Sequence, residues 1–156
     1  MDTMYLTPKK INFFNAFKLP VAFIAGVRVK SINSKSCVVV VKHKWINQNP
    51  FKSMFWAVQG MAAELSTGAL VMDKIHQSGK DISMLVLSND ASFSKKARGR
   101  ISFACNQGQE IDNIVEKAIK TGKGQTVWLN SKGVNSQNIE VSNFNFQWTL
   151  KVKVNS

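Results

Sequence analysis

The chain has 156 residues and a mass of 17.4 kDa, enough for one domain that buries about 70% of its unfolded surface without disulfides or metals. With 44% hydrophobic and only 19% charged residues, ten Phe and four Trp, it is not a disordered chain. The 21 Lys and Arg against 9 Asp and Glu give a net charge of +12, which suits nucleic acid, an anionic membrane surface or a phosphate-bearing ligand without choosing among them.

In chain order, Pro8 near the start and Pro20 past the end predict a first helix over 8–18. Asn12, Asn15 and Lys18 interrupt its apolar run and exclude a signal peptide. Two strands follow, 26–33 and 36–44, joined by the turn Asn33–Ser34–Lys35. Residues 45–50 form a loop in which Asn49 is positioned as an N-cap and Pro50 as the first residue of a helix reaching about residue 74. That helix is apolar on most sides, so it is expected to be enclosed by the fold. Glu64 at its middle argues against a membrane span. Strands are expected at 82–94 and 98–105, and an amphipathic helix at 109–121 ends at Gly122. A strand at 126–130 precedes a last one running from Phe144 to Val154, where apolar and polar residues alternate as on a half-wet antiparallel sheet. The expectation is an α+β fold over 1–156, a long central helix wrapped by a curved antiparallel sheet. Cys37 and Cys105 form no C-x-x-C pair and sit among β-prone apolar residues, so they read as buried free thiols of a reducing, cytoplasmic compartment. No metal site is expected.

The chemistry concentrates in Asn49–Glu64. Gly60 and Gly68 are unfavourable inside a helix by about 1 kcal/mol each, which predicts a close approach to the backbone there. They flank Glu64 and, with Ala57, make a small-residue face around it. A carboxylate in apolar surroundings has a raised pKa and suits a general base or nucleophile; it equally suits a helix residue hydrogen-bonded at a subunit interface. Ser53 has no G-x-S-x-G context, and His43 and His76 have no partner at diagnostic spacing.

The segment resembles the hotdog-fold superfamily, in particular acyl-coenzyme A thioesterases of the phenylacetate and enterobactin-pathway type. Their pattern is Asn or Gln, five residues, His-Gly-Gly, then Glu or Asp nine positions after the His. Asn49 matches the amide and Glu64 the acid, while Phe55-Trp56-Ala57 stands in place of His-Gly-Gly. The stretch SFSKKARGRISFAC is similar to the strand entry of the same superfamily. The valine-rich strand and the final tryptophan-bearing strand resemble an uncharacterised branch known only as a domain of unknown function. The resemblance implies hydrolysis of an acyl- or aryl-coenzyme A thioester, with coenzyme A as part of the substrate and no separate cofactor. It implies Glu64 as base or nucleophile, the Ala57 N–H as donor to the oxyanion and Asn49 as a positioning group. Phe55, Trp56, Gly60 and Gly68 would border the acyl or aryl group. Lys95, Lys96 and Arg98, with Arg100, would meet the phosphates, although a charged edge strand also discourages aggregation. Phe55 and Glu64 lie two and a half turns apart, on opposite faces and about 13 Å along the axis. A working site therefore joins the helix start of one copy to Glu64 of another, which implies a homodimer, with a tetramer as further assembly. The replaced His-Gly-Gly keeps open a non-catalytic module that binds an acyl chain or coenzyme A. Nucleic-acid binding rests on charge alone, and no membrane insertion is expected.

Overall fold

The computed structural model describes residues 6–154. Thr7 caps α1 (Pro8–Lys18), its hydroxyl accepting from the Lys10 N–H at 3.3 Å, with Pro8 in the first turn. The helix ends where expected. Pro20, however, opens a second short helix, α2 (Pro20–Ile24), that the sequence reading missed, because a proline is as suited to a first turn as to the residue beyond a last one.

β1 (Arg28–Ile32) and β2 (Cys37–Lys42) form an antiparallel hairpin. After a 3-10 turn at Trp45–Asn47 and a loop, α3 (Trp56–Ser78) runs through the core and ends on Gly79 in the left-handed conformation. β3 (Ile82–Phe93), β4 (Arg100–Cys105), α4 (Gly108–Thr121), β5 (Gln125–Val134) and β6 (Glu140–Val152) complete the chain. The six strands make one antiparallel sheet in the order β1-β2-β4-β5-β6-β3. No described helix is long and apolar enough to cross a membrane.

Three differences from expectation stand out. The central helix starts at Trp56 with Phe55 as its N-cap, so Asn49 and Pro50 precede it by a whole loop. Lys52 has φ 57°, a left-handed conformation that cannot be part of a right-handed helix, and Asn49 is spent on the turn around it. β5 extends to Val134, and β6 begins at Glu140 and stops at Val152. The alternation of β6 is as expected: Phe144, Phe146, Trp148 and Leu150 are buried between half-exposed residues.

α3 packs against the sheet, touching β1, β2, β4, β5 and β6. Its two glycines let it come close: a Cβ on Gly68 would lie 3.1 Å from the Trp148 ring, and one on Gly60 would lie 3.5 Å from that of Phe144. The Trp148 indole N–H donates to Thr67 Oγ1 at 2.9 Å, and the Ser66 and Ser131 hydroxyls share a hydrogen bond of 2.7 Å, so Ser66 and Thr67 of α3 are paired across to the sheet.

On the outer side, buried Lys74 of α3 reaches Asp112 of α4 at 2.9 Å. Asp112→Ala is expected to destabilise the protein by about 2 kcal/mol, because it strands an ammonium away from water. Lys74→Met, which removes the charge and keeps the packing, should be close to neutral. Urea midpoints of the two variants check this.

The two sheet edges differ. β1 is covered: Asn12 of α1 donates from Nδ2 to the Val29 carbonyl (3.0 Å) and accepts the Val29 N–H on Oδ1 (2.8 Å), mimicking a neighbouring strand. β3 is not. Among the described residues it pairs only with β6, is 12 residues long, and exposes Leu85, Leu87 and Phe93, with a bulge between Val86 and Ser88.

Candidate active site

The loop before α3 is a tight structure of its own. The Asn49 carboxamide accepts the Phe51 and Ser53 N–H groups on Oδ1 (2.9 and 3.3 Å), and Nδ2 donates to Ser53 Oγ (2.9 Å) and the Met54 carbonyl (3.3 Å). Buried Asn47 anchors the preceding turn by donating to the Ala25 and Lys42 carbonyls, both at 2.9 Å. Met54, itself buried, donates its N–H to the Ala97 carbonyl at 2.8 Å. That bond helps hold the segment after β3 against the start of α3.

A pocket of about 540 Å³ lies where they meet. It gathers Asn49, Phe55 and Trp56 from the helix entry with Lys95 and Lys96 from the segment after β3. Phe55 and Trp56 are not core residues: both are exposed, with their rings edge to face at 6.2 Å, and they form an aromatic rim. The first N–H groups of a helix have no intrahelical acceptor. Val58 and Gln59 turn theirs back to the Phe55 carbonyl (3.0 and 3.3 Å), whereas those of Trp56 and Ala57 have no backbone acceptor among the described residues. This end of α3 thus presents free donors and the positive end of a helix dipole beside two lysines.

Gln59, Ser53 and Phe93 also line the pocket; none was expected in the site, Ser53 being set aside for lack of a G-x-S-x-G context. Gln59 is 4% exposed, its Nε2 donates to the Met54 carbonyl at 3.4 Å, and its Oε1 is buried with no partner among the described residues. A glutamine inside an otherwise apolar helical run was the available signal.

The other expected site residues lie elsewhere. Ala57 is half-buried next to the pocket but does not line it. Arg98 is exposed, and its Nε donates to the Lys52 carbonyl at 3.1 Å, bracing the loop. Gly60 and Gly68 face the aromatic rings of β6. Glu64, half-buried further along α3, lies outside this pocket, and its carboxylate has no hydrogen-bonding or ionic partner among the described residues. Its backbone carbonyl accepts from Thr67 Oγ1. Loss of water pushes its pKa above the ordinary carboxylate value. Cys37 and Cys105 face one another on β2 and β4, fully buried, and burial is the main cause that pushes their thiols up to about 12 and about 11. Neither is a nucleophile at neutral pH. Among the described residues no cluster of three His, Cys, Asp or Glu is placed to hold a metal ion.

An α+β domain of this layout, with the pocket at the start of its enclosed helix, is a hotdog fold, and solved structures share it nearly end to end. A protein of unknown function from Chlorobaculum tepidum superposes with a TM-score of 0.81 at 17% identity, covering 96% of this chain and 99% of its own. A Pseudomonas aeruginosa protein, described as a probable thioesterase, gives 0.77 at 17% identity over 94% and 97%. A thioesterase from Haemophilus influenzae gives 0.72 at 9% identity over 96% and 94%. No curated protein sequence matches the chain. Residues 9–150 match the family described as a domain of unknown function, DUF4442, and the chain belongs to that family.

Proposed function

We propose that the protein hydrolyses an acyl- or aryl-coenzyme A thioester at a site shared between two copies of the chain. The observation that carries this reading is the separation of Glu64, a desolvated carboxylate without a partner, from the free N–H groups at the start of the same helix. The two are chemically complementary and out of each other's reach on one chain. The open β3 edge supports the second copy. Antiparallel pairing of two such strands would extend the sheet and set the Phe93 end of one copy against the Ile82 end of the other.

In this arrangement the thioester carbonyl accepts from the Ala57 and Trp56 N–H groups, which stabilise the oxyanion as it forms. Glu64 of the second copy takes a proton from the attacking water, or attacks the carbonyl carbon itself to give an anhydride that water then opens. In either case the C–S bond breaks and coenzyme A leaves as a thiolate that takes up the proton. Asn49 holds the loop in shape, and Phe55 and Trp56 flank the acyl or aryl group. Lys95 and Lys96 neutralise the coenzyme A phosphates, and Gln59 Oε1 accepts from an amide N–H of the pantetheine arm. Nucleic acid has no part in the reading, and the two reduced thiols suit the cytoplasm.

Trp56, exposed at the pocket mouth where the thioesterase pattern has glycine, favours a second reading: a module that holds the thioester without cleaving it. A panel of acyl- and aryl-coenzyme A esters assayed with wild type and Glu64→Ala separates the two. Hydrolysis that depends on Glu64 is the expected result. Equal rates in both proteins would sink the catalytic role, and tight binding without turnover would establish the module. Light scattering on wild type and on Leu87→Pro tests the β3 pairing, with a dimer expected for the first and a monomer for the second.

A further inference from the structure

On the opposite side of α3 lies a larger groove, of about 760 Å³, between α1, the C-terminal half of α3 and the first residues of β3. Its size falls within the range of about 300–1,000 Å³ typical of small-molecule sites. Leu65, Ala69, Met72 and Ile75 line it from α3, and Ile82 and Met84 from β3. This is a long, mostly apolar wall, to which α3 also adds the exposed His76. Asn15 of α1 faces them. It is 5% exposed, and its Nδ2 is buried with no hydrogen-bond partner among the described residues. Leaving a buried amide donor unmade is unfavourable by about 1–3 kcal/mol, so a donor held in this way against an apolar wall is suited to an acceptor that arrives with a ligand. Lys10 and Lys80, both exposed, lie at the rim. The rim acid, Asp81, is already engaged with Lys153 at 3.1 Å.

We infer that this groove binds an unbranched acyl chain, with the chain along α3 and β3 and its carbonyl or carboxylate oxygen on Asn15 Nδ2. The wall offers methylene contacts over most of its length, and besides Asn15 and the rim groups its polar side chain is the exposed His76 of α3. The lysines favour the negative end of a fatty acid over a neutral amphiphile. The same chemistry is found in a free fatty acid and in the acyl half of a thioester. Nothing in the inference requires turnover, so it stands or falls apart from the hydrolase reading.

The test is calorimetric titration with dodecanoate, kept below its micellar concentration, and with dodecanol. Saturable binding of one dodecanoate per chain is expected, with dodecanol weaker. Asn15→Leu should weaken dodecanoate about tenfold or more, the effect of losing a hydrogen bond to a charged group. Met72→Trp, at a position exposed enough to accept the larger ring, should block the groove. Glu64→Gln should bind as wild type does even where it abolishes hydrolysis. Absence of saturable binding, or equal affinity in wild type, Asn15→Leu and Met72→Trp, would overturn the inference. Competition by dodecanoyl-coenzyme A, weakened by the same two substitutions, would identify the chain as that of a thioester. Dodecanoate binding without such competition would identify the free acid.

Discussion

Glu64→Gln is expected to slow thioester hydrolysis by about 10²–10⁴-fold, the usual contribution of a positioned base, with little change in substrate affinity. The pH profile gives a second readout. Desolvation raises the folded-state pKa of Glu64, so the wild-type rate should climb with pH to a point above the ordinary carboxylate range, and the glutamine variant should lack that limb. Stability should move the other way. A carboxyl whose pKa is higher folded than unfolded binds more protons in the folded state, so stability falls as pH rises from about 4.3 through the raised value. Above that value the penalty is complete. Glu64→Gln removes it, and the inactive variant should melt no lower than wild type at neutral pH and show none of this slope. Thermal melts across the acidic range, set beside the rate profile, would reveal whether one group controls both. A wild-type rate with no acidic limb would remove Glu64 from the chemistry.

Gly108→Ala is expected to be the most damaging of the small substitutions, at about 3 kcal/mol, or a fall of about 6–12 °C in melting temperature. A Cβ there would run into the Ser34 carbonyl oxygen and would lie 2.8 Å from Lys35 Cα. These are backbone atoms and cannot rotate away. The turn that carries them is pinned by Asn33, whose Oδ1 accepts the Lys35 and Ser36 N–H groups at 2.8 and 3.0 Å, and by the Gly108 N–H donating to the Lys35 carbonyl at 3.0 Å. The methyl must therefore push the start of α4 off the β1–β2 hairpin. Gly124→Ala is the control: the nearest atom to its Cβ would be 4.0 Å away, and a change within about 0.5 kcal/mol is expected. Similar melting of the two variants would show that the contact at Gly108 relaxes at little cost.

Periodicity made the elements legible where one face is buried and the other wet. β6 could be read from Phe144 onward because its neighbours alternate, and α4 because Ile111, Val115 and Ala118 share a stripe that proves buried. Ambiguity lay with the prolines. Asn49-Pro50 suits an N-cap and first turn as well as it suits the opening of a loop. What decided between them was the left-handed Lys52 and the Met54–Ala97 bond, a contact between segments 43 positions apart. No local pattern carries such a contact, and for that reason Gln59 and Phe93 were not joined to the site in advance. Glu64 was legible as an isolated carboxylate in an apolar run. Its distance from the helix start follows from helical geometry alone, whereas the open β3 edge depends on the order of strands in the sheet, which no local pattern carries.

The tryptophans of this protein report on different places. Trp148 is 5% exposed under α3, whereas Trp45, Trp56 and Trp128 are 82, 57 and 48% exposed. Emission at shorter wavelength therefore belongs to Trp148 alone, and its red shift on unfolding tracks the moment the helix leaves the sheet. Trp56 stands at the rim of the pocket, where an arriving ligand would change its surroundings without disturbing the core. With Trp45 and Trp128 changed to phenylalanine, the remaining pair would separate occupancy from folding in one spectrum, with no added dye.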